Sequence, residues 1–175
     1  MKYIDTSGMI PRFVVLPIEK GANELDNKVK EQEKKTVDIT EKLTSFMRAN
    51  AKTLSEYYEK HGFIQAAIYF YQNVTDNGVL DIKMQKDWAF EEGTEYTFNG
   101  MVLRNDDPGN INFGYVGAVL FTEEVLCAGA GANQISKYGF KYGDISTYFD
   151  DPRDNKMIKY GFGLYMEDQK NETVK

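Results

Sequence analysis

Residues 96–103 read Tyr-Thr-Phe-Asn-Gly-Met-Val-Leu, and this stretch decides the fold class of the 175-residue chain. Two short runs of β-forming residues flank an Asn-Gly pair, which accepts the positive φ angles of a type I′ turn. The stretch therefore predicts a β-hairpin in the middle of the chain. On both sides of it, apolar side chains mostly recur at the three-to-four-residue spacing that is typical of helices.

On the N-terminal side of the hairpin, the pattern predicts two consecutive helical segments. Asp38 followed by Glu41 is a capping-box pattern that starts the first segment, and His61-Gly62 ends it, since glycine tolerates the left-handed conformation after a last turn. The predicted apolar face of the first segment comprises Leu43, Phe46, Met47, Leu54, Tyr57 and Tyr58. The second segment has an apolar stripe of Ile64, Ala67, Ile68 and Tyr71 and ends at residues 76–78.

On the C-terminal side, residues 104–109 are predicted to form a polar loop, and helical spacing resumes at Phe113. Thr122 is positioned to cap another helix, and Asp151 before Pro152 is a strong start for the last one. The small-residue run over 127–132 predicts a close approach of two backbones. The sequence thus predicts an α+β, mostly α fold: a helical domain with a small inserted β-hairpin, a plan similar to lysozyme-like folds.

Composition narrows the possible chemistry. The net charge is −6, with 21 basic against 27 acidic residues, whereas a nucleic-acid-binding protein usually carries a basic excess. One Cys and one His exclude a disulfide within the chain and a Cys/His metal cluster. We expect no metal or other cofactor, and a metal site built from Asp and Glu is the alternative. No apolar run is long enough to span a bilayer, and the first residues do not read as a signal peptide. Residues 1–35 are expected to be an extension or linker, and residues 36–175 the functional domain.

Carboxylates are the main candidates for catalysis in so histidine-poor a chain. Two carboxylates across a cleft can divide glycoside cleavage, one protonating the leaving oxygen and the other acting as nucleophile or base. Asp81, Glu92 and Asp106, from the acid-rich middle of the chain, are the predicted catalytic residues. Lys83 is predicted to share one face of a strand with Asp81 and to bind substrate or hold a carboxylate ionised. The alternative is that most of these acids are ordinary surface residues.

A dense glycine-asparagine block occupies residues 109–117. Asparagine side chains both donate and accept hydrogen bonds, which suits sugar hydroxyls or base edges, and flanking glycines allow a ligand to approach the backbone. The block therefore predicts substrate-binding roles for Asn110, Asn112 and Tyr115, against the alternative of a helix cap. Its start is also similar to the sugar-binding stretch of plant-type chitinases.

Several blocks together resemble the type 44 toxin domain of bacterial polymorphic toxins, across about residues 36–166. In order, they are Val37-Asp38-Ile39-Thr40 with Met47-Arg48-Ala49-Asn50-Ala51, Phe70-Tyr71 with Leu80-Asp81-Ile82-Lys83, Gly109 to Gly117, Gly129-Ala130-Gly131-Ala132-Asn133-Gln134, and Asp150-Asp151-Pro152-Arg153-Asp154. This chain has Asn112 and Leu80 where the family often carries a histidine and an aromatic residue. The resemblance adds Gln134 to the predicted substrate-binding residues.

The resemblance implies an effector that is secreted or delivered into a rival cell and neutralised in its producer by a cognate immunity protein. It leaves the reaction open between a cell-wall glycan hydrolase, with peptidoglycan as substrate, and a nuclease, with RNA as substrate; a non-enzymatic binding module is a third hypothesis. An immunity protein is expected to meet a rim of basic and aromatic side chains: Lys83, Arg104, Lys137, Lys141 and Arg153, with Tyr115, Tyr138, Phe140 and Tyr142.

Overall fold

The computed structural model describes residues 35–74, 78, 80, 82, 88, 90–138 and 151–173, with the backbone alone for 133–138. Lys35–Lys175 form one compact unit, which begins one residue before the predicted boundary. Residues 1–34, which include most of the predicted extension, lie outside the described part, so that assignment stays a prediction. In the described part, no helix has the length and apolar character needed to cross a membrane.

The predicted hairpin is confirmed. Strand β2 (Thr94–Phe98) pairs antiparallel with β3 (Met101–Val102), and both turn residues between them have positive φ, 49° for Asn99 and 75° for Gly100. A further strand, β1 (Lys35–Asp38), pairs parallel with β2 and completes a three-stranded sheet in the order β1-β2-β3. This third strand was not predicted, because Lys35 ends the predicted linker and Asp38 was interpreted only as the start of a helix.

Helix α1 (Thr40–Val74) contains the predicted break, since Gly62 has a φ of 78° and interrupts the helical conformation. The predicted start is also confirmed: Asp38 Oδ1 accepts hydrogen bonds from the Thr40 N–H (2.8 Å) and the Thr40 hydroxyl (2.6 Å). The Thr40 hydroxyl oxygen in turn accepts from the Asn99 N–H at 2.8 Å. The start of α1 is thereby joined to the turn of the hairpin.

The apolar face predicted for the second half of α1 is wrong. Ile64, Ile68 and Tyr71 are exposed, and the buried residues of this segment are Ala66 and Phe70. The segment carries apolar side chains on two faces. Residue spacing cannot distinguish the two, and the prediction took the exposed face for the buried one.

Three further helices follow: α2 (Asp107–Gly117), α3 (Glu123–Tyr138) and α4 (Pro152–Thr173). The predicted starts of α3 and α4 are confirmed: the Thr122 carbonyl accepts from the Leu126 N–H at 3.1 Å, and Asp151 Oδ1 accepts from the Arg153 N–H at 2.7 Å. Helix α2 begins earlier than predicted. Residues 107–109 are its first turn rather than loop, with Pro108 within that turn, where a missing N–H costs nothing.

The centre of the domain is a close crossing of α2 and α4. A Cβ on Gly114 would lie 2.0 Å from the Ile158 carbonyl oxygen, and one on Gly161 would lie 2.0 Å from the Ile111 carbonyl oxygen. The missing side chain at Gly114 therefore allows the backbone of α4 to pack closely against α2. The prediction that this glycine lets a ligand approach is wrong. The close approach expected at the small-residue run is not found at Gly129, where a Cβ would meet nothing within 4 Å.

The core lies between the sheet, the first half of α1 and the α2–α4 pair. Its most deeply buried side chains include Leu43, Leu54, Phe98, Ile111, Val116, Met157 and Ile158. Ile82 is also buried, but it lies in a 3₁₀ turn, so the strand predicted over residues 81–83 is wrong at this position. The fold class is confirmed as α+β and mostly α, with the hairpin inserted between helices.

Candidate functional site

The N-terminal ends of helices α2 and α4 meet beside the end of β3. Asp107 in the first turn of α2 forms an ion pair with Arg153 in the first turn of α4, and the Arg153 guanidinium also donates to the carbonyl of Val102 in β3. Each end begins at an Asp-Asp-Pro sequence, at residues 106–108 and 150–152. Carboxylates at this position interact favourably with the partial positive charge of a helix N-terminus.

A buried ion pair joins the two helix starts. Asp107 is 0% exposed, and its carboxylate accepts from Arg153 Nε (2.9 Å to Oδ1) and from the second guanidinium nitrogen. The Arg104 N–H donates to the same carboxylate at 2.6 Å. The bond to Asp107 raises the pKa of Arg153, and the nearby charges of Asp106 and Asp151 add to that rise. Asp107 is thus fully committed to the fold.

Asp106 and Glu92, two of the predicted catalytic carboxylates, are differently placed from Asp107. Asp106 precedes α2, is partly exposed, and makes no side-chain capping bond. Glu92 is exposed in the turn before β2. Strands β2 and β3 are antiparallel, and the Leu103 N–H donates to the Tyr96 carbonyl at 2.9 Å. Because Glu92 precedes β2 and Asp106 follows β3, both residues lie at the same end of the sheet.

Asn112 is buried inside the α1–α2 contact, with 1% of its surface exposed. Its Nδ2 donates to the Leu80 carbonyl at 3.2 Å, and its Oδ1 accepts from Asn50 Nδ2 at 3.4 Å. The Leu80 N–H donates to the Asn73 carbonyl at 2.9 Å. Asn112 therefore fixes the backbone at Leu80, a position that fits a packing role better than direct contact with substrate.

Asn110, one turn before Gly114, is half-buried. Its Nδ2 is enclosed and has no hydrogen-bond partner, alone among the buried side-chain polar atoms of the described residues. Such an atom in a folded protein calls for a ligand or a water. Asn110 is therefore the best placed of the predicted substrate-binding residues that the structure describes.

At the opposite end of the α2–α4 pair, Tyr115 is buried and its hydroxyl donates to Asp168 Oδ2 at 2.6 Å. Arg48 from α1 forks the same carboxylate, with Nε at 2.8 Å and a terminal nitrogen at 2.7 Å. These bonds lower the pKa of Asp168, the larger cause being Arg48. Burial, followed by the bond to Asp168, raises the pKa of Tyr115, so its hydroxyl stays a donor and holds α4.

Three predicted site residues cannot be placed. Asp81 and Lys83 lie outside the described residues, although Leu80, directly before Asp81, contacts Asn112. Gln134 lies in α3, and its side chain is outside the described part. The structure brings together Asn112, Leu80 and Asn50, and separately Asp106 and Arg153. In the described part of the chain, no three His, Cys, Asp or Glu side chains are arranged to hold a metal ion.

Asn50, Arg48 and Asp168 were not predicted as parts of a polar network, and Asp107 was interpreted only as one of many acids. No sequence signal singles out the pair of Asp107 and Arg153, because the two residues are 46 positions apart in the chain.

The sole histidine, His61, is exposed at the break in α1, and its ring packs on Tyr57 at 4.3 Å between centroids. A family model described as bacterial toxin 44 matches residues 68–167, more than half of the chain and including all of α2 and α3. His61 lies outside the matched residues. The chain matches no curated protein and no solved structure, and a lysozyme-like plan therefore stays a prediction.

Proposed function

This chain belongs to the bacterial toxin 44 family, and from that premise we propose that its toxin domain hydrolyses cell-wall glycan with carboxylate side chains. The observation that carries the proposal is the position of His61, exposed at a helix break and outside the matched residues. Histidine is the commonest general acid–base residue. With its only histidine outside the matched residues, a hydrolase of this family would rely on carboxylates, which suffice for glycoside cleavage.

Charge supports the same choice of substrate. With a net charge of −6, the chain lacks the basic excess that supplies most non-specific affinity for nucleic acid. Glycan strands impose no such requirement, because their recognition rests on hydrogen bonds to hydroxyl groups. The unpartnered Asn110 Nδ2 is a donor suited to one of those bonds.

Asp106 is assigned the role of nucleophile or base, because it lies near Arg153 at the N-terminal end of α2 and makes no side-chain capping bond there. Glu92 and Asp81 are the candidates for the partner acid. Lys83, Asn110 and Gln134 are assigned to substrate binding, and Asn112 and Tyr115 to holding the elements that carry them.

The test measures new reducing ends released from purified peptidoglycan, with digestion of RNA followed in parallel. Asp106→Asn and Glu92→Gln should each lower the rate by about a hundredfold to ten-thousandfold, while Glu167→Gln, an exposed acid on α4, should leave it unchanged. Cleavage of RNA but not of peptidoglycan would refute the proposal. Cleavage of peptidoglycan that survives both substitutions would keep the substrate and refute the two residue assignments.

The same premise supports a cognate immunity protein and delivery into a rival cell. We place the partner over the N-terminal ends of α2 and α4, where Arg104 is exposed. Of the other residues proposed for this contact, Arg153 is engaged with Asp107 and Tyr115 is buried. Arg104→Glu should weaken binding of the neighbouring gene's product more than Lys52→Glu, an exposed base on α1. Equal affinity of the two variants for the immunity protein would show that the partner does not bind at this end of the helices.

A further inference from the structure

Leu80, in the connection between α1 and β2, has a backbone that is hydrogen-bonded on both sides. Its N–H donates to the Asn73 carbonyl at 2.9 Å, and its carbonyl accepts from Asn112 Nδ2 at 3.2 Å. Its side chain is 7% exposed, and that of Ile82, two residues later, is 2% exposed. The backbone of Leu80 is therefore bonded to α1 through its N–H and to α2 through its carbonyl.

The bond to the Leu80 carbonyl bears on Asp81, one of the candidate acids. A peptide group is planar, so the plane of the Leu80 carbonyl also contains the nitrogen and Cα of the next residue, Asp81. A donor that holds the carbonyl oxygen therefore restricts the point from which the Asp81 side chain starts. That side chain itself lies outside the described residues.

The amide of Asn112 needs a second partner on α1 to keep its orientation. The Leu80 carbonyl can only accept, so Asn112 turns its Nδ2 toward that carbonyl and its Oδ1 toward α1. Asn50 Nδ2 donates to this Oδ1 at 3.4 Å. Because Asn112 is 1% exposed, the loss of this donor would leave a buried acceptor unpaired.

We propose that Asn50 is a positioning residue for Asp81, acting through Asn112 and the Leu80 carbonyl. The three groups form one line of donors and acceptors that runs from α1 through α2 to the peptide group before Asp81. Glu92, the other candidate for the partner acid, lies in the turn before β2, and its chain position is not held by this line. The inference rests on the proposed role of Asp81 as an acid of the reaction.

The first experiment measures kcat and KM on purified peptidoglycan, with RNA as the parallel substrate. Asn50→Ala removes the donor, and Asn50→Asp, of nearly the same size, replaces it with a carboxylate that competes for Asn112 Nδ2. Each should lower kcat by about tenfold to a hundredfold, the effect of a misplaced reacting group, and leave KM largely unchanged. Thr53→Ala is the matched control, because it removes an exposed side-chain bond to the Ala49 carbonyl on the same helix, and it should leave kcat unchanged.

The second experiment separates positioning from a general loss of structure by combining substitutions. In an Asp81→Asn background, Asn50→Ala should slow the residual reaction little further, because the group that it positions is already lost. In a Glu92→Gln background, Asn50→Ala should slow the reaction as much as in the unsubstituted chain. A change that only destabilised the fold would act alike in both backgrounds, and circular dichroism checks that each variant is folded.

The outcomes distinguish this inference from the proposed function. An unchanged kcat in both Asn50 variants, equal effects of Asn50→Ala in the two backgrounds, or an unchanged rate for Asp81→Asn would overturn the inference and leave the substrate assignment intact. The expected pattern on RNA alone would keep the inference and refute the proposed substrate. A chain that cleaves neither substrate would refute both.

Discussion

The two ends of the α2–α4 pair carry the same chemistry in different surroundings. At the N-terminal end Arg153 forks Asp107, and toward the other end Arg48 forks Asp168. The Asp107 side chain is fully buried, whereas the Asp168 side chain is 22% exposed and its arginine 59% exposed. Two ion pairs that look alike in a list of contacts should therefore contribute very differently to stability.

The two ion pairs differ in the free energy that is lost when one charge is removed and the other is left without a partner. A buried carboxylate that loses its cation has no water to replace it, while a partly exposed one regains hydration. The buried pair lies where three carboxylates, Asp106, Asp107 and Asp151, surround one guanidinium. That guanidinium also donates to the Val102 carbonyl, so the end that carries the candidate site is the end least tolerant of change.

The largest expected effect is that of Arg153→Met, which leaves Asp107 buried without its cation. We expect the free energy of unfolding to fall by about 3–5 kcal/mol, measured by urea denaturation. Arg48→Met is the matched control at the exposed pair and should cost no more than about 1 kcal/mol. Similar losses for the two variants would show that burial does not distinguish the ends.

The next effect concerns the crossing that sets the spacing of both ends. Gly161→Ala would place a Cβ 2.0 Å from the Ile111 carbonyl oxygen, so α2 and α4 must separate, at a cost of about 1–3 kcal/mol or more. Gly163→Ala, two residues along the same helix, meets nothing within 4 Å and should stabilise by about 0.5–1 kcal/mol. Thermal unfolding of the two variants gives the comparison. If Gly161→Ala is also stabilising, the helices do not cross this closely.

The features that the sequence predicts best are local. The Asn99-Gly100 turn, the break at Gly62 and the start of α4 at Asp151 each depend on a few adjacent residues with a fixed conformational preference. Their outcome does not depend on what packs against them. The family resemblance likewise depends on blocks of adjacent residues, and it extends over most of the domain.

The features that the sequence does not predict depend on distant partners. Arg153 and Asp107 are 46 residues apart, and Arg48 and Asp168 are 120 apart. Nothing in the spacing of either pair selects one partner among 27 acids. Gly114 shows the same limit, because a glycine that admits a helix and a glycine that admits a ligand look identical until the opposing backbone is known. β1 is four residues long, and its pairing with β2 compensates for a weak local preference.

The smallest expected effect is a pH dependence of stability at the Asp168 end of the α2–α4 pair. Asp168 has a lowered pKa in the folded state, so its stabilising contribution is fully present above its unfolded value of about 3.9 and is lost as the pH falls through the lower folded value. Tyr115→Phe removes one of the two donors that lower it and should cost about 1 kcal/mol at neutral pH. A protonated Asp168 side chain is a weaker hydrogen-bond acceptor for the Tyr115 hydroxyl than the carboxylate. The difference in the free energy of unfolding between Tyr115→Phe and the unsubstituted chain should therefore shrink in the acid range. Urea denaturation from pH 7 down to about 3 measures it, and a difference that stays constant or grows on acidification would mean that Asp168 is not the group that Tyr115 stabilises.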